Sequence, residues 1–346
     1  MKKKISLTLV VTLLICTLTL FTLVSCGNND GLQKEDGKIV INVCVPDGSP
    51  AIAIAKLIKS HPEFEGYKIH YEVVTGAEGI GARLASGQAT IAIAPTNVGA
   101  IQYNANNGRY RLVATAVQGA LYMVGKGEVV GTTTQEKLNS LKGKTVYNIG
   151  QGATPDLTFK YVLETYDIPY QVTDVESNDY VALKYVSAGD ELIKLFKQNG
   201  AEYGIMGEPA VTRANANTGT TTLFSMQDLW NEVTDTKNGF PQASVLVNSD
   251  LLDGTHNHFI NWFLSRMEEN STWVTNNAKE AGEALELAGS KALKGLSSDI
   301  VAKCNIKIVR AEKAKVGVTT YLTALHSFSP KTVGGKVPND NFYYAV

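Results

Sequence analysis

The chain is poor in cysteine, and none of its four cysteines lies in a pattern typical of a metal site. It has no CxxC pair and no cysteine beside a histidine, which argues against a zinc site. An oxidising compartment would allow Cys44 and Cys304 to form a disulfide. Cys44 lies in a strongly apolar stretch, however, so two buried free thiols are the favoured alternative.

Other absences exclude further classes of protein. The sequence lacks the GxSxG and HExxH strings of common hydrolases. Its formal net charge is −1, so it has no excess of positive charge for nucleic acid. After Val24, no apolar run approaches the roughly 20 residues that span a bilayer. We therefore expect a body outside the membrane that is not an enzyme and uses no nucleic acid, metal or cofactor.

The first 25 residues have the parts of an export signal. Lys2, Lys3 and Lys4 precede an apolar run that ends at Val24. The next residues complete the string LVSC, which resembles the bacterial lipobox and implies that Cys26 becomes the lipidated first residue. An uncleaved membrane anchor is the alternative, since the run is long enough to span. Residues 26–37 are polar and glycine-rich, which predicts a flexible tether.

The body alternates short apolar runs with amphipathic stretches, as in an α/β fold with a largely parallel sheet. The same order of elements occurs twice. Matching strands are 106 positions apart at Ile39 and Thr145 (145 − 39), and the next two pairs are each offset by 112. We therefore predict two doubly wound α/β lobes of similar plan.

Two extended stretches should connect these lobes. The first, LVATAVQGALYMVGKGE, leaves lobe one, and GFPQASVLVNSDLLDG returns to it, after which the chain reads as helical. The predicted boundaries place lobe one at residues 38–122 plus 240–346 and lobe two at residues 123–239. Two crossings form a hinge, and a hinge suggests closure on a ligand.

Ligands of open α/β sheets bind beyond the carboxyl ends of the strands. The loops at these ends are rich in Gly, Ser, Thr and Asn, and several run into helix starts, whose free N–H groups favour acceptor groups. Ser49 and Thr154 each precede a proline, so either residue is alternatively only a helix N-cap. Glu208 could meet an amino group of the ligand, or Arg213 could neutralise it. The predicted ligand-binding residues are Asp47, Gly48, Ser49, Gly76, Ala77, Thr96, Asn97, Gln118, Gly119, Gln151, Gly152, Ala153, Thr154, Glu208 and Gln242.

At the same loops the chain resembles a known family. The strings SGQATIAIA, LKGKTV and GEPA, in this order and spacing, are similar to those of the solute-binding proteins of nitrate/taurine/sulfonate-type ABC importers, a group that also serves thiamine precursors and riboflavin. The resemblance runs from about residue 39 to about residue 273. It implies a type II periplasmic-binding-protein fold and delivery of a solute to a permease with a cytosolic ATPase.

The loops contain no basic residue, which favours a neutral or zwitterionic organic solute over nitrate. An aminosulfonate, a thiamine-precursor pyrimidine and another small amphoteric heterocycle are the candidates. The lipid on Cys26 would hold the protein on the outer face of the cell membrane. A surface lipoprotein that reports to a receptor is one alternative, and an enzyme of thiamine-pyrimidine synthesis is a second, although the cysteine-rich motif of that enzyme is missing.

Overall fold

The computed structural model describes residues 31–74 and 76–346, without the side chains of residues 76–78. Lys34–Val346 form one compact unit. The predicted signal peptide, Cys26 and the beginning of the tether lie outside the described residues. The described residues contain no helix that is both long enough and apolar enough to cross a membrane.

The first sheet, which defines lobe one, contains strands from both ends of the chain. Its order is β1-β2-β4-β12-β5-β13, with β3 paired to β2 on the other side. β2 runs parallel to β3 and β4, whereas β12 is antiparallel to β4 and β5. The strands are β1 (Lys34–Glu35), β2 (Lys38–Pro46), β3 (Tyr67–Val74), β4 (Ile91–Pro95), β5 (Tyr110–Val117), β12 (Ala243–Asn248) and β13 (Ile306–Arg310).

The second sheet, which defines lobe two, is built from the middle of the chain. Its order is β11-β6-β10-β7-β9-β8, and β7 runs parallel to both β9 and β10. The strands are β6 (Leu121–Gly125), β7 (Thr145–Ile149), β8 (Tyr170–Val172), β9 (Val181–Val186), β10 (Tyr203–Gly207) and β11 (Thr221–Ser225).

The predicted repetition of one plan is confirmed by the strand order. In lobe one β2 lies between β3 and β4, and in lobe two β7 lies between β9 and β10. All four of these pairings are parallel. The three matching strand pairs are the ones that the sequence offsets identified, so the predicted fold class of two doubly wound α/β lobes with two crossings is correct.

Helices cover both faces of each sheet. The helices are α1 (Ser49–Ile52), α2 (Ala55–Ser60), α3 (Gly76–Ala85), α4 (Thr96–Ala105), α5 (Thr134–Asn139), α6 (Thr154–Thr165), α7 (Gly189–Lys197), α8 (Ala210–Thr218), α9 (Met226–Thr234), α10 (Asn257–Asn276), α11 (Ala278–Leu287), α12 (Ser298–Lys303) and α13 (Ala311–Phe328). In lobe one α1, α2, α10, α11 and α12 pack together on one face, and α3, α4 and α13 cover the other. In lobe two α6 packs on α9, and α7 packs on α8. Short 3-10 turns lie at Ser249–Leu251, Pro330–Val333 and Asp340–Phe342.

Three details differ from the sequence predictions. The tether was expected to reach residue 37, but β1 and the first residues of β2 already pair as a hairpin. The region after residue 254 was expected to be helical, yet β13 adds a strand beside β5. Leu121 and Tyr122 were assigned to lobe one, although β6 places them in the second sheet. Short strands such as β1 carry too few residues to show a two-residue alternation.

The C-terminal tail packs back onto lobe one. Phe342 is completely buried, and its ring lies 5.2 Å from that of Tyr103 on α4. The amide of Tyr344 donates to the carbonyl of Leu112 on β5 at 2.9 Å. The aromatic face of α10 also enters the core, where Phe259 and Phe263 are buried. Cys44 and Cys304 are both buried free thiols.

Candidate functional site

The strand directions place the predicted loops of both lobes beside the hinge. β4 and β5 are both antiparallel to β12, so the chain leaves lobe one at the edge where β4 ends. β6 is antiparallel to β10, with Leu121 opposite Gly207, so the chain enters lobe two at the edge where β10 ends. The carboxyl ends of the parallel strands in both sheets therefore flank the same crossing. Such edges are where α/β sheets bind ligands.

Asp47, directly after β2, is bound to another loop of lobe one. Its carboxylate accepts from the hydroxyl of Ser290 at 2.5 Å and from the amides of Lys291 and Ala292 at 2.8 and 3.0 Å. These contacts fix the loop after α11 against the end of β2. Contact between Asp47 and a solute stays a prediction.

Gly48 and Ser49 begin α1 and lie at the junction of the lobes. Gly48 has φ +116°, a conformation that suits glycine, and no atom of the described residues lies within 4 Å of where a Cβ would stand. Ser49 is buried, and its hydroxyl donates to the carbonyl of Glu208 in lobe two at 3.0 Å. The N-cap position of α1 is Gly48, with no side-chain cap bond. The N-cap alternative for Ser49 is therefore wrong.

Thr96 and Asn97 begin α4. The Thr96 hydroxyl is 2.5 Å from the carbonyl of Pro241 and 2.7 Å from the Ser244 hydroxyl, which ties α4 to the returning crossing. The Asn97 amide nitrogen donates to the carbonyl of Thr332 at 3.4 Å. Its Oδ1 is buried and has no hydrogen-bond partner among the described residues. Asn97 thus offers a buried acceptor at the edge of lobe one.

Gln118, Gly119 and Gln242 form the hinge itself. The Gln242 side-chain oxygen accepts from the amide of Ala120 at 2.7 Å and so links the two crossings. The Gln118 amide donates to the Thr115 hydroxyl at 2.7 Å. Gly119 has φ +81°, and a Cβ there would lie 2.9 Å from a side-chain carbon of Gln227. The contacts of these residues are internal, and a role in solute binding stays a prediction.

The loop Gln151–Thr154 of lobe two is anchored by a buried carboxylate. Gln151 and Gly152 are exposed, and a Cβ on Gly152 would meet no atom within 4 Å. The amide of Gly152 donates to Asp156 at 2.8 Å. Ala153 holds the N-cap position of α6, so Thr154 is not an N-cap as the alternative proposed. Thr154 instead receives a hydrogen bond from Tyr321.

Asp156 has two further partners that the sequence analysis missed. The completely buried carboxylate accepts from Lys160 Nζ at 2.9 Å and from the Tyr185 hydroxyl at 3.0 Å. Burial, followed by the nearby charge of Asp156, raises the pKa of the Tyr185 hydroxyl. The spacing of four residues between Asp156 and Lys160 on one helix could have revealed the ion pair.

Glu208 follows β10 and is buried at the junction of the lobes. Its carboxylate accepts from the amide and the hydroxyl of Thr212 at 3.1 and 2.9 Å. Burial raises its pKa, although the Thr212 bonds and the charge of Lys303 oppose this rise. Arg213 pairs with Asp190 at 3.0 Å, so the alternative that it neutralises Glu208 is wrong.

Both lobes meet beside Glu208 at the junction. The Tyr122 hydroxyl on β6 of lobe two donates to the carbonyl of Lys303 of lobe one at 2.9 Å. Burial raises the pKa of the adjacent Cys304 thiol to about 12; a hydrogen bond with Ser49 acts in the opposite direction. Cys304 thus borders the candidate site without having been predicted as part of it.

Gly76 and Ala77 form the beginning of α3. The side chains of residues 76–78 lie outside the described part of the chain. Contact of Gly76 and Ala77 with a solute therefore stays a prediction. Within residues 31–74 and 76–346, no group of three or more His, Cys, Asp or Glu side chains is placed to hold a metal ion.

A polar cavity of about 620 Å³ lies beside the hinge, between the start of β13 and the start of α9. Of the predicted ligand-binding residues whose side chains the structure describes, Gln118 alone lines it; other lining residues include Ser225, Asp228, Asn305 and Lys307. The cavity is therefore distinct from the strand-end loops. Its lining mixes two lysines, an aspartate and several amides, which selects no single class of ligand.

Solved structures show the same fold. An ABC transporter protein from Parabacteroides distasonis superposes with a TM-score of 0.72 at 22% identity, covering 88% of this chain and 98% of that one. The periplasmic aliphatic sulphonate binding protein of Escherichia coli gives 0.62 at 15% identity, with coverage of 86% and 89%. The alkanesulfonate-binding protein of Xanthomonas axonopodis pv. citri, bound to MOPS, gives 0.59 at 11%, with coverage of 91% and 100%. No family model and no curated protein sequence matches the chain.

Proposed function

We propose that the chain is an extracytoplasmic solute-binding lipoprotein. It captures a small organic solute between its lobes and delivers it to an ABC import permease with a cytosolic ATPase. The lipid on Cys26 keeps the protein at the outer face of the cell membrane. A fold shared with binding components of ABC importers and the predicted export signal support this proposal.

The observation that carries the proposal is the pair of open loops beside the hinge. At Gly48 in lobe one and Gly152 in lobe two, no atom of the described residues obstructs the place where other residues carry a Cβ. Each lies beside the start of a helix at the carboxyl edge of its sheet. A solute can therefore approach the backbone of both lobes, and contact with both stabilises closure.

The chemistry of the site favours a solute with hydrogen-bond donors. Asn97 Oδ1 is an acceptor without a partner, and Glu208 is a carboxyl group whose raised pKa reflects its burial. An amino or N–H group would satisfy either of them. The N–H groups at the start of α6 suit acceptor oxygens such as those of a sulfonate. An aminosulfonate or an aminopyrimidine meets both requirements.

A thermal-shift screen of the chain from Gly27 onward tests the proposal. The panel contains taurine, MOPS, a thiamine-precursor pyrimidine, riboflavin and nitrate, in a buffer free of sulfonates because one structural neighbour binds MOPS. A ligand at about 100 times its Kd stabilises the native state by roughly 2.7 kcal/mol. We expect a rise in Tm with taurine or the pyrimidine, and no rise with nitrate.

Two variants locate the site of any hit. Asn97→Ala and Glu208→Gln should weaken binding. Asn104→Ala should not, because Asn104 lies about two turns further along the same helix and its amide, like that of Asn97, donates to tail carbonyls, so the control also removes tail contacts. Equal loss in all three variants would argue against the loops as the site. A rise in Tm with nitrate alone would overturn the proposal that the solute carries hydrogen-bond donors.

Delivery to a permease is tested in cells. Deleting the gene should abolish uptake of the bound solute at low external concentration. Unchanged uptake, together with a lost transcriptional response to the solute, would favour the receptor-reporting alternative.

A further inference from the structure

The C-terminal helix α13 contacts both lobes. It packs on β5, β13 and α4 of lobe one, and also on α6 of lobe two. Phe328 near its end lies 5.9 Å, between ring centroids, from Tyr161 on α6. Tyr321, seven residues earlier, lies beside Thr154, seven residues before Tyr161. Seven residues are about two helical turns, so one face of α13 follows α6 from its first turn onward.

Tyr321 joins three parts of the molecule. It is completely buried, and its ring stacks on Phe240 with centroids 5.8 Å apart and an angle of 18°. The ring also meets Trp230 of α9 edge-on at 5.5 Å. Its hydroxyl donates to the Thr154 hydroxyl at 3.4 Å. Phe240 lies in the returning crossing, and Thr154 ends the loop that we place in the solute site.

The Tyr321 hydroxyl is a donor at neutral pH. Burial raises its pKa to about 12, so the proton stays on the oxygen. A buried tyrosine hydroxyl needs a hydrogen-bond partner. For comparison, the Tyr344 hydroxyl finds its partner, Asn257, within its own lobe at 2.8 Å. The partner of Tyr321 lies in the other lobe.

We propose that Tyr321 is a positioning residue that holds the loop Gly150–Thr154 of lobe two against α13 of lobe one. The bond favours the arrangement in which Ser49 reaches Glu208 across the junction. Breaking it shifts the lobes towards a more open arrangement. The inference rests on the proposed function only for the role of the loop in solute binding.

The expected effect is modest and specific. A buried hydrogen bond of this kind contributes about 0.5–1.4 kcal/mol. This corresponds to a roughly two- to tenfold change in the ratio of molecules with open lobes to molecules in the joined arrangement, in which Tyr321 bonds Thr154. Affinity for a solute that needs the joined arrangement falls by up to the same factor, in proportion to the population that the variant loses.

Distances between spin labels on the two lobes test this without any solute. The labels are attached at Leu287→Cys in lobe one and Val175→Cys in lobe two, both exposed positions, in the chain from Gly27 onward. Cys44 and Cys304 are buried and do not compete for the label. The test variants are Tyr321→Phe, which keeps the ring packing, and Thr154→Val. Tyr344→Phe is the matched control.

We expect the longer-distance population to rise in Tyr321→Phe and in Thr154→Val, and the double variant to match the single ones, because both remove the same bond. Tyr344→Phe should leave the distribution unchanged. An unchanged distribution in Tyr321→Phe, or an equal change in Tyr344→Phe, would overturn the inference. Neither outcome bears on the panel of solutes, so failure here is distinct from failure of the proposed function.

Discussion

Replacing Glu208 by glutamine should stabilise the protein at neutral pH. The residue is 4% exposed, and within the part of the chain that the structure describes its carboxylate accepts hydrogen bonds from Thr212 alone. Among the described residues, no lysine or arginine nitrogen lies within 4.0 Å of it. A glutamine of the same shape can accept from the Thr212 amide and donate to the Thr212 hydroxyl. The substitution therefore keeps both bonds and removes a buried charge.

The sign of the pH dependence follows from the pKa. In the unfolded chain the carboxyl titrates near 4.5, and burial raises the pKa in the folded protein. The folded state therefore binds the proton more tightly, and its stability falls as the pH rises from about 4.5 through the raised pKa. Glutamine does not titrate. The advantage of the variant should be largest above the raised pKa and should disappear at acid pH.

Removing an unpaired buried charge while keeping its hydrogen bonds should contribute about 1–2 kcal/mol at neutral pH. For a chain of this size that corresponds to a Tm increase of roughly 1.5–3 °C. Calorimetry of wild type and Glu208→Gln at about pH 8 and about pH 4 measures the difference directly. A lower Tm for the variant at the higher pH, or the same difference at both, would refute the reasoning.

Three further predictions concern stability. Asp156→Ala leaves Lys160 without its buried partner and should cost about 3–5 kcal/mol in urea unfolding, more than Asp156→Asn; equal costs would contradict an ionic role. Gly239→Ala places a Cβ 2.2 Å from a carbonyl across the hinge and should cost about 1–3 kcal/mol more than Gly295→Ala, which has a similar φ and no described atom within 4 Å of the new Cβ; equal Tm values would show that the crossing adjusts. Phe342→Ala should cost about 3–5 kcal/mol, and a loss below about 1 kcal/mol would show that the tail is dispensable.

The repeat of strand and helix was predictable because its signals are local. Parallel strands buried on both faces form continuous apolar runs, such as IVINVCV in β2 and AEYGIM at β10. Glycine-rich loops marked the carboxyl ends of these strands. The complete burial of Phe342 in the tail agrees with the tendency of large apolar side chains to leave water.

The partners within the site could not be predicted in the same way. Asp47 binds a loop some 240 residues later, and Ser49 binds the backbone of Glu208. No local pattern encodes a contact at that separation. β13 was missed because its residues, Ile306–Arg310, are only partly buried and include two cations, so their pattern resembles a polar helix. The role of α13 between the lobes depends on the same long-range geometry.

The position of β12 has a consequence for the order in which the protein forms. This strand lies between β4 and β5, but it is made some 125 residues after β5 ends, when the whole second sheet already exists. Lobe two is one uninterrupted segment and can complete its sheet as soon as it emerges. In lobe one, the place between β4 and β5 stays empty until β12 has been made. Because domains fold as units and distant pairings are slow, a chain of this design should protect its middle from proteases before it protects its two ends.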